Sequence, residues 1–332
     1  MLGYIIRRLI QAIFIGLGVT LVAFILLQLL NASSGSVARA ILGPRATAVA
    51  ITQFNHDNGL DQPWPIQYLT YLGKITGLGP VFAGQGWQGF DFGHSYNLNQ
   101  DVSSLLAQDV PKTLLLVGLG YVIAITVAVP LGVFQAVRRN KPDDYVLTSI
   151  AFIFYSMPVF WLGIILIVVF AATLHWFPAL VPQVSFVGDL FPGQIPALVL
   201  PVMTLALLEI AFFSRYMRSS VLENMVQDYV RTARAKGASQ SRVLFIHVLR
   251  NAMIPVLTLI GLSIGFVFAG ALVVESLFNY PGLGLLFWHS AQTKDYPVLL
   301  GIILITGIAT VVGNLLADIM YAVADPRVRY SR

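Results

Sequence analysis

Six stretches of this chain are long and apolar enough to cross a lipid bilayer, and no other feature restricts its fold as severely. In hydrocarbon every backbone N–H and C=O needs an internal partner, so a spanning segment is a helix of about 20 residues or a strand of a closed barrel. Runs of this length select helices. The first, Leu9 to Leu30, is uncharged and follows Arg7 and Arg8. A cleaved leader is the competing reading, but its apolar core is normally about 7–15 residues, which favours a retained span. The second, Thr113 to Val137, closes on Arg138, Arg139 and Lys141. The third runs from about Tyr145 to Ala172, and Pro158 inside it predicts a kink. The fourth, Pro196 to Phe213, carries Glu209 and closes on Arg215 and Arg218. The fifth, Met253 to Val274, ends at Glu275, and the sixth, Pro297 to Ala317, is followed by Asp318.

Composition agrees with a polytopic chain. Only 11% of residues are charged, against roughly 25% in soluble domains. Cysteine is absent, which excludes disulfides and thiolate metal sites. A net charge of +5 would suit nucleic acid, but its placement points to membrane topology and to no nucleic-acid partner. If residues 1–8 are cytoplasmic and the six spans alternate, fifteen of the 20 Lys and Arg fall inside. Those outside are Arg39, Arg45, Lys74, Lys112 and Lys294. Such a bias sets both termini in the cytoplasm. The chain then divides into a first span (1–30), a long outside loop (31–112), a five-helix core (113–325) holding a cytoplasmic loop (219–252), and a tail (326–332). Within the outside loop, Tyr68, Leu69, Tyr71 and Leu72 fit a short amphipathic helix resting on the membrane surface.

Catalytic signatures are not what the sequence offers. No Gly-x-x-x-x-Gly-Lys-Ser/Thr run exists, so ATP cannot be held here by a P-loop. The five histidines lack ligand spacing, and no metal site is expected. Neither a cysteine nucleophile nor a serine elbow is expected, so the chain does not read as an enzyme.

The most informative stretch is the basic loop Asp228 to Pro255, DYVRTARAKGASQSRVLFIHVLRNAMIP. Asp228 suits an N-cap, and Tyr229 to Lys236 is helix-permissive. Gly237 is placed to end that helix in a left-handed conformation. Ser239 can cap a second helix running through His247 to Asn251 into the fifth span. A helix, a sharp turn and a helix can insert a knob into a groove on a cytoplasmic partner. The alternative is that the positive charge merely fixes topology or meets anionic headgroups. Topology does not require caps or a turn, and these favour docking.

This loop resembles the cytoplasmic "EAA" coupling motif of ABC-importer permeases, in the form of the dipeptide/oligopeptide transport family. Gly237 matches the motif glycine and Ala233 its second alanine. DYVRTARAKGAS and HVLRNAMIPV match that subfamily's version, with Arg231 and Thr232 where the general family has Glu-Ala, and His247 to Arg250 where it has Ile-x-Leu-Pro. Beyond the loop, MLGYIIRRLI, GLDQPWPIQYL, DFGHSY, VVESLFNYPGLGLL, KDYPVLLG and NLLADIMYAVADPRVR are similar to the B-type subunit. Two departures concern the outside: no Gly-Asp-Pro follows the first span around Ser33 to Ser36, and VFAGQGWQG is long. The resemblance implies an all-α membrane protein of about six transmembrane helices, a type I ABC-importer permease in the bacterial plasma membrane. It implies a second, homologous permease as heterodimer partner, two cytoplasmic ABC ATPases holding ATP and Mg, and an extracytoplasmic substrate-binding protein. It leaves this chain with no cofactor of its own. ATPase coupling would fall to Asp228, Tyr229, Arg231, Ala233, Arg234, Ala235, Lys236, Gly237, His247, Arg250 and Asn251.

Carboxylates at bilayer depth are costly and mark function or pairing. Glu209, Glu275, Asn314 and Asp318 are candidates for translocation or gating. For Glu209 the competing role is partner to an arginine, and for Glu275 it is to cap or brace a re-entrant helix. Asn314 and Asp318 also fit packing on one helix face. Gly261, Gly265 and Ala269 permit close helix approach. An ion-gradient-driven transporter using Glu209, Glu275 and Asp318 is the alternative function, disfavoured by the absence of an internal repeat.

Overall fold

The computed structural model describes residues 2–324 apart from 35–36, 44, 58, 83, 85–86, 88, 96 and 192. The tail (326–332), part of the missing Gly-Asp-Pro region, part of VFAGQGWQG and the side chains of Gly265, Ala269 and Asp318 lie outside the described set. Two compact units form, one from residues 1–8, 109–286 and 312–332, the other from 9–108 and 287–311.

The elements in order are α1 (Leu2–Ser34), α2 (Val37–Leu42), α3 (Ala48–Asp57), α4 (Trp64–Thr76), α5 (Leu78–Phe82), β1 (His94–Ser95), β2 (Gln100–Asp101) and α6 (Val102–Val137). There follow α7 (Pro142–Ser156), α8 (Val159–Leu166), α9 (Ile195–Met225), α10 (Asp228–Ala235), α11 (Gln240–Arg242), α12 (Leu249–Leu277), α13 (Leu283–Thr293) and α14 (Tyr296–Ala324). Among the described residues five helices are long and apolar enough to cross a membrane, or six if one bent pair counts as a span. That pair, α7 with α8 and the wider turn after it, corrects the expectation of a kink at Pro158. The two arms meet at 107°. Met157 has ψ of 131°, because a residue before proline is pushed out of the helical region. The helix therefore stops and restarts.

In the first unit the spans pack around two apolar clusters. One gathers Leu116, Leu162, Leu166, Leu200, Val274, Phe278 and Tyr280. The other joins Ala128 and Val133 of α6, Phe213, Met217 and Val221 of α9, Val230 and Ala233 of α10, and Ala252 and Val256 of α12. Helices α6 and α9 touch closely at Gly132, where a Cβ would stand 2.6 Å from that of Met217. Ser220 Oγ donates to the Ala252 carbonyl at 2.9 Å and fastens α9 to α12.

In the second unit, one face of α4 packs on other helices of the chain. Tyr71 and Leu72 pack against Ala23, Leu300 and Leu304, while Leu69 stays exposed. Tyr68 Oη lies 2.9 Å from Thr20 Oγ1, and Gln28 Nε2 donates to Gln67 Oε1 at 2.6 Å. The hairpin β1–β2 pairs His94 with Asp101, and Ser95 Oγ donates to Asp295 Oδ2 at 2.5 Å.

Candidate functional site

The basic loop folds as helix, turn and helix. Here α10 begins at Asp228 and is preceded by Gln227 in extended conformation as the cap position. Asp228 is thus the first helical residue, a correction to its expected role as N-cap. Its carboxylate still faces the positive end of the helix. Only an exposed 3.5 Å contact links it to Arg231, and such exposed pairs contribute little.

The end of α10 is determined by Gly237. Its φ of +82° lies in the left-handed region. The Ala238 N–H donates to the Ala233 carbonyl at 3.1 Å, and the Gly237 N–H to the Arg234 carbonyl at 2.9 Å. This pair of reversed bonds is the Schellman arrangement, which satisfies carbonyls the helix leaves open. No atom lies within 4 Å of where a Gly237 Cβ would stand, so conformation rather than space requires glycine. Ser239 then caps α11, its Oγ accepting from the Arg242 N–H at 3.4 Å. A wider π-type turn, Val243–Val248, carries the chain into α12.

Burial divides the element into two faces. Val230 and Ala233 of α10, with Val243 and Val248, are buried in the second cluster. Facing outward are Asp228, Tyr229, Arg231, Arg234, Ala235, Lys236 and Gly237. Tyr229 Oη donates to Asn224 Oδ1 at 2.6 Å, which fixes its ring beside the end of α9. His247 is half-buried and its carbonyl accepts from Asn251 Nδ2 at 3.0 Å, whereas Arg250 and Asn251 are exposed. The expected coupling residues therefore share one element, but Ala233 belongs to its anchor.

Two interactions escaped sequence reasoning. Arg218 grips Asp144 with both arms, Nε to Oδ1 at 2.8 Å and Nη2 to Oδ2 at 2.7 Å. Asp144 is 2% exposed and also accepts from the Asn140 N–H at 3.1 Å. The bond joins α7 to α9, and the only signal was a carboxylate just after Pro142. The second is the anchoring role of Val230, legible only as an apolar residue three before Ala233.

The membrane-depth candidates separate. Glu275 is fully buried and accepts from the Gly284 N–H at 2.5 Å, in the first turn of α13. Beside it, Thr113 Oγ1 accepts from the Leu283 N–H at 2.9 Å, and Tyr280 Oη donates to the Lys112 carbonyl at 2.6 Å. Glu275 thus caps α13. A Cβ at Gly282 would stand 2.5 Å from the Glu275 carboxylate, so any larger residue there would displace the cap. Among the described residues Glu209 pairs with no arginine, which corrects that expectation. It accepts from Tyr121 Oη at 3.2 Å, while Arg218 holds Asp144 and Arg215 lies over the rings of Phe152 (4.4 Å) and Tyr155 (4.6 Å). Asn314 is exposed on α14. One run, Gly261 to Gly265, does match the letters Gly-x-Ser-x-Gly. It lies within α12, where Ser263 Oγ donates to the Leu259 carbonyl at 2.8 Å, and not on the strand-to-helix turn a nucleophile needs.

Residues 128–330 match the family described as binding-protein-dependent transport system inner membrane component. Residues 1–117 match the N-terminal model of the same kind of membrane component. The chain belongs to this family of transport permeases. It is accordingly a multi-pass inner-membrane protein. The oligopeptide transport system permease protein AppB of Bacillus subtilis is 40% identical, the match covering 99% of this chain and 100% of that one. A putative peptide permease protein of Brucella ovis is 41% identical over 99% of each chain. In fold the chain is similar to a solved structure described as inward facing conformations of the MetNI methionine ABC transporter. The TM-score is 0.51 at 16% identity, covering 67% of this chain and 96% of that one. The fold is that of an ABC-importer permease.

Proposed function

We propose that this chain is the membrane-spanning subunit of an ATP-driven importer of di- or oligopeptides. The relatives named above support the peptide cargo. The observation that carries the energetic part is the α10–Gly237–α11 element, with a polar face exposed and an apolar face packed among α6, α9 and α12. Two cytoplasmic ATPases, holding ATP and Mg, dock on the outward residues Tyr229, Arg231, Arg234 and Lys236. Their closure moves α10, and the buried Val230 and Ala233 pass the displacement to the spans. A ligand shifts a conformational equilibrium only through contacts that differ between its states, and a rigidly turned element supplies such contacts. A second, homologous permease completes the pathway as a heterodimer, and an extracytoplasmic binding protein delivers cargo.

Purification in mild detergent followed by mass spectrometry of the co-purifying chains tests the assembly. Two ATPases, a second permease and a binding protein are expected. In vesicles, peptide uptake should stop on ATP depletion and survive a protonophore. Uptake with the opposite pattern would replace this reading with gradient-driven transport.

A further inference from the structure

Between α6, α7, α9 and α12 lies a small cavity, about 270 Å³, lined by Tyr121, Tyr155, Leu208, Glu209, Phe212 and Ser263. Three aromatic rings, one carboxylate and one hydroxyl converge on it from α6, α7, α9 and α12. The carboxylate is the unusual member. Glu209 lies within the span α9, where a charge is tolerated only if something answers it. Among the described residues its hydrogen-bond partner is a neutral phenol, Tyr121 Oη at 3.2 Å. Of the two arginines that follow it on the same helix, Arg218 holds Asp144, and Arg215 lies over the rings of Phe152 and of the lining residue Tyr155 without reaching the carboxylate.

We propose that Glu209 and the rings of Tyr121 and Phe212 form a cation subsite that receives the α-ammonium group of the cargo peptide on its way through the permease. This rests on the peptide-importer reading. The chemistry fits in three respects. Aromatic faces attract organic cations. A carboxylate supplies the countercharge. The volume is below the roughly 300–1,000 Å³ of a pocket that encloses a whole ligand, so it suits one end of a peptide. A peptide carrier that must accept varied side chains has only the backbone and its two ends to recognise. An ammonium held by one carboxylate and weak ring contacts can also leave, as passage requires.

The experiment uses the complete transporter in vesicles, comparing ATP-dependent uptake of a free dipeptide with that of its N-acetylated form. Wild type is expected to favour the free amine. Glu209→Gln should reduce uptake of the free dipeptide about tenfold, leave the acetylated form unchanged, and so lower the preference about tenfold. Glu209→Asp should keep the preference. Equal losses for both forms in Glu209→Gln, or an undiminished preference, would overturn the subsite, because a purely structural carboxylate cannot distinguish the two. The same binding protein serves every arm, so its own selectivity cancels. Wild-type vesicles that take up neither dipeptides nor longer peptides would overturn the peptide reading itself, and the subsite with it.

Discussion

At the scale of single residues, two side chains make separable predictions. Glu275 supplies the acceptor for the Gly284 N–H at the start of α13. Replacing it with alanine leaves a buried donor unpaired, a loss of about 1–3 kcal/mol. Glu275→Ala should therefore melt at a lower temperature in detergent, while Glu275→Gln, which keeps an acceptor oxygen, should lose less. Equal melting for both variants and wild type would remove Glu275 from its capping role. The other residue is His94, whose Nδ1 lies 2.8 Å from Asp101 Oδ1 across the hairpin β1–β2. The hydrogen bond to Asp101 raises the imidazole above its ordinary value near 6.5, with Asp295 adding to it. A raised folded-state value means that the protonated form favours the hairpin. Its contribution is complete below the ordinary value and disappears as pH rises through the raised one. Hydrogen-exchange protection of residues 94–101 should fall across that window in wild type and stay level in His94→Gln.

Residue types foretold some of these roles and concealed others. Glycine at 237 signalled a left-handed turn because no other residue adopts it freely, and serine at 239 signalled a cap by its short hydroxyl. Asp228 was misplaced by one position, since Gln227 takes the extended conformation at the cap. Glu209 followed by Arg215 and Arg218 suggested an ion pair. Spacing along one helix does not show that a neighbouring helix offers Asp144 to one arginine and aromatic faces to the other.

At the scale of elements, the capped turn and its two faces are the centre of the account. The buried face of α10 is short, and so the outward face is where a partner can bind without unfolding the anchor. Replacing Tyr229 and Arg234 together with alanine removes a ring held by Asn224 and a cation from that face. The ATPases should then co-purify several-fold less well while the chain still inserts in the membrane. Full recovery of the ATPases would move docking elsewhere. Spanning helices were legible from length and apolar composition, because bilayer thickness fixes both. The break between α7 and α8 was not. Proline predicts the loss of one hydrogen bond, but the 107° turn depends on the extended Met157 and on what the following helix packs against.

At the scale of the molecule, the second apolar cluster connects the docking element to the spans. Val230 and Ala233 sit among residues of α6, α9 and α12, so that displacing α10 displaces their packing. Interiors at this density shift as packed units and do not deform smoothly. Family membership was readable from whole motifs in the chain, whereas the cargo comes to this protein only through relatives named for peptides. Gly237 is the residue on which the transmission depends. Its φ of +82° suits glycine and costs a β-branched residue roughly 1–2 kcal/mol or more, with no clash to obscure the result. The decisive measurement is ATP-dependent dipeptide uptake and peptide-stimulated ATP hydrolysis by the reconstituted complex carrying Gly237→Val. Both activities should be lost while the variant chain still inserts and assembles with its partners. Uptake at the wild-type rate would contradict the coupling role assigned to this turn.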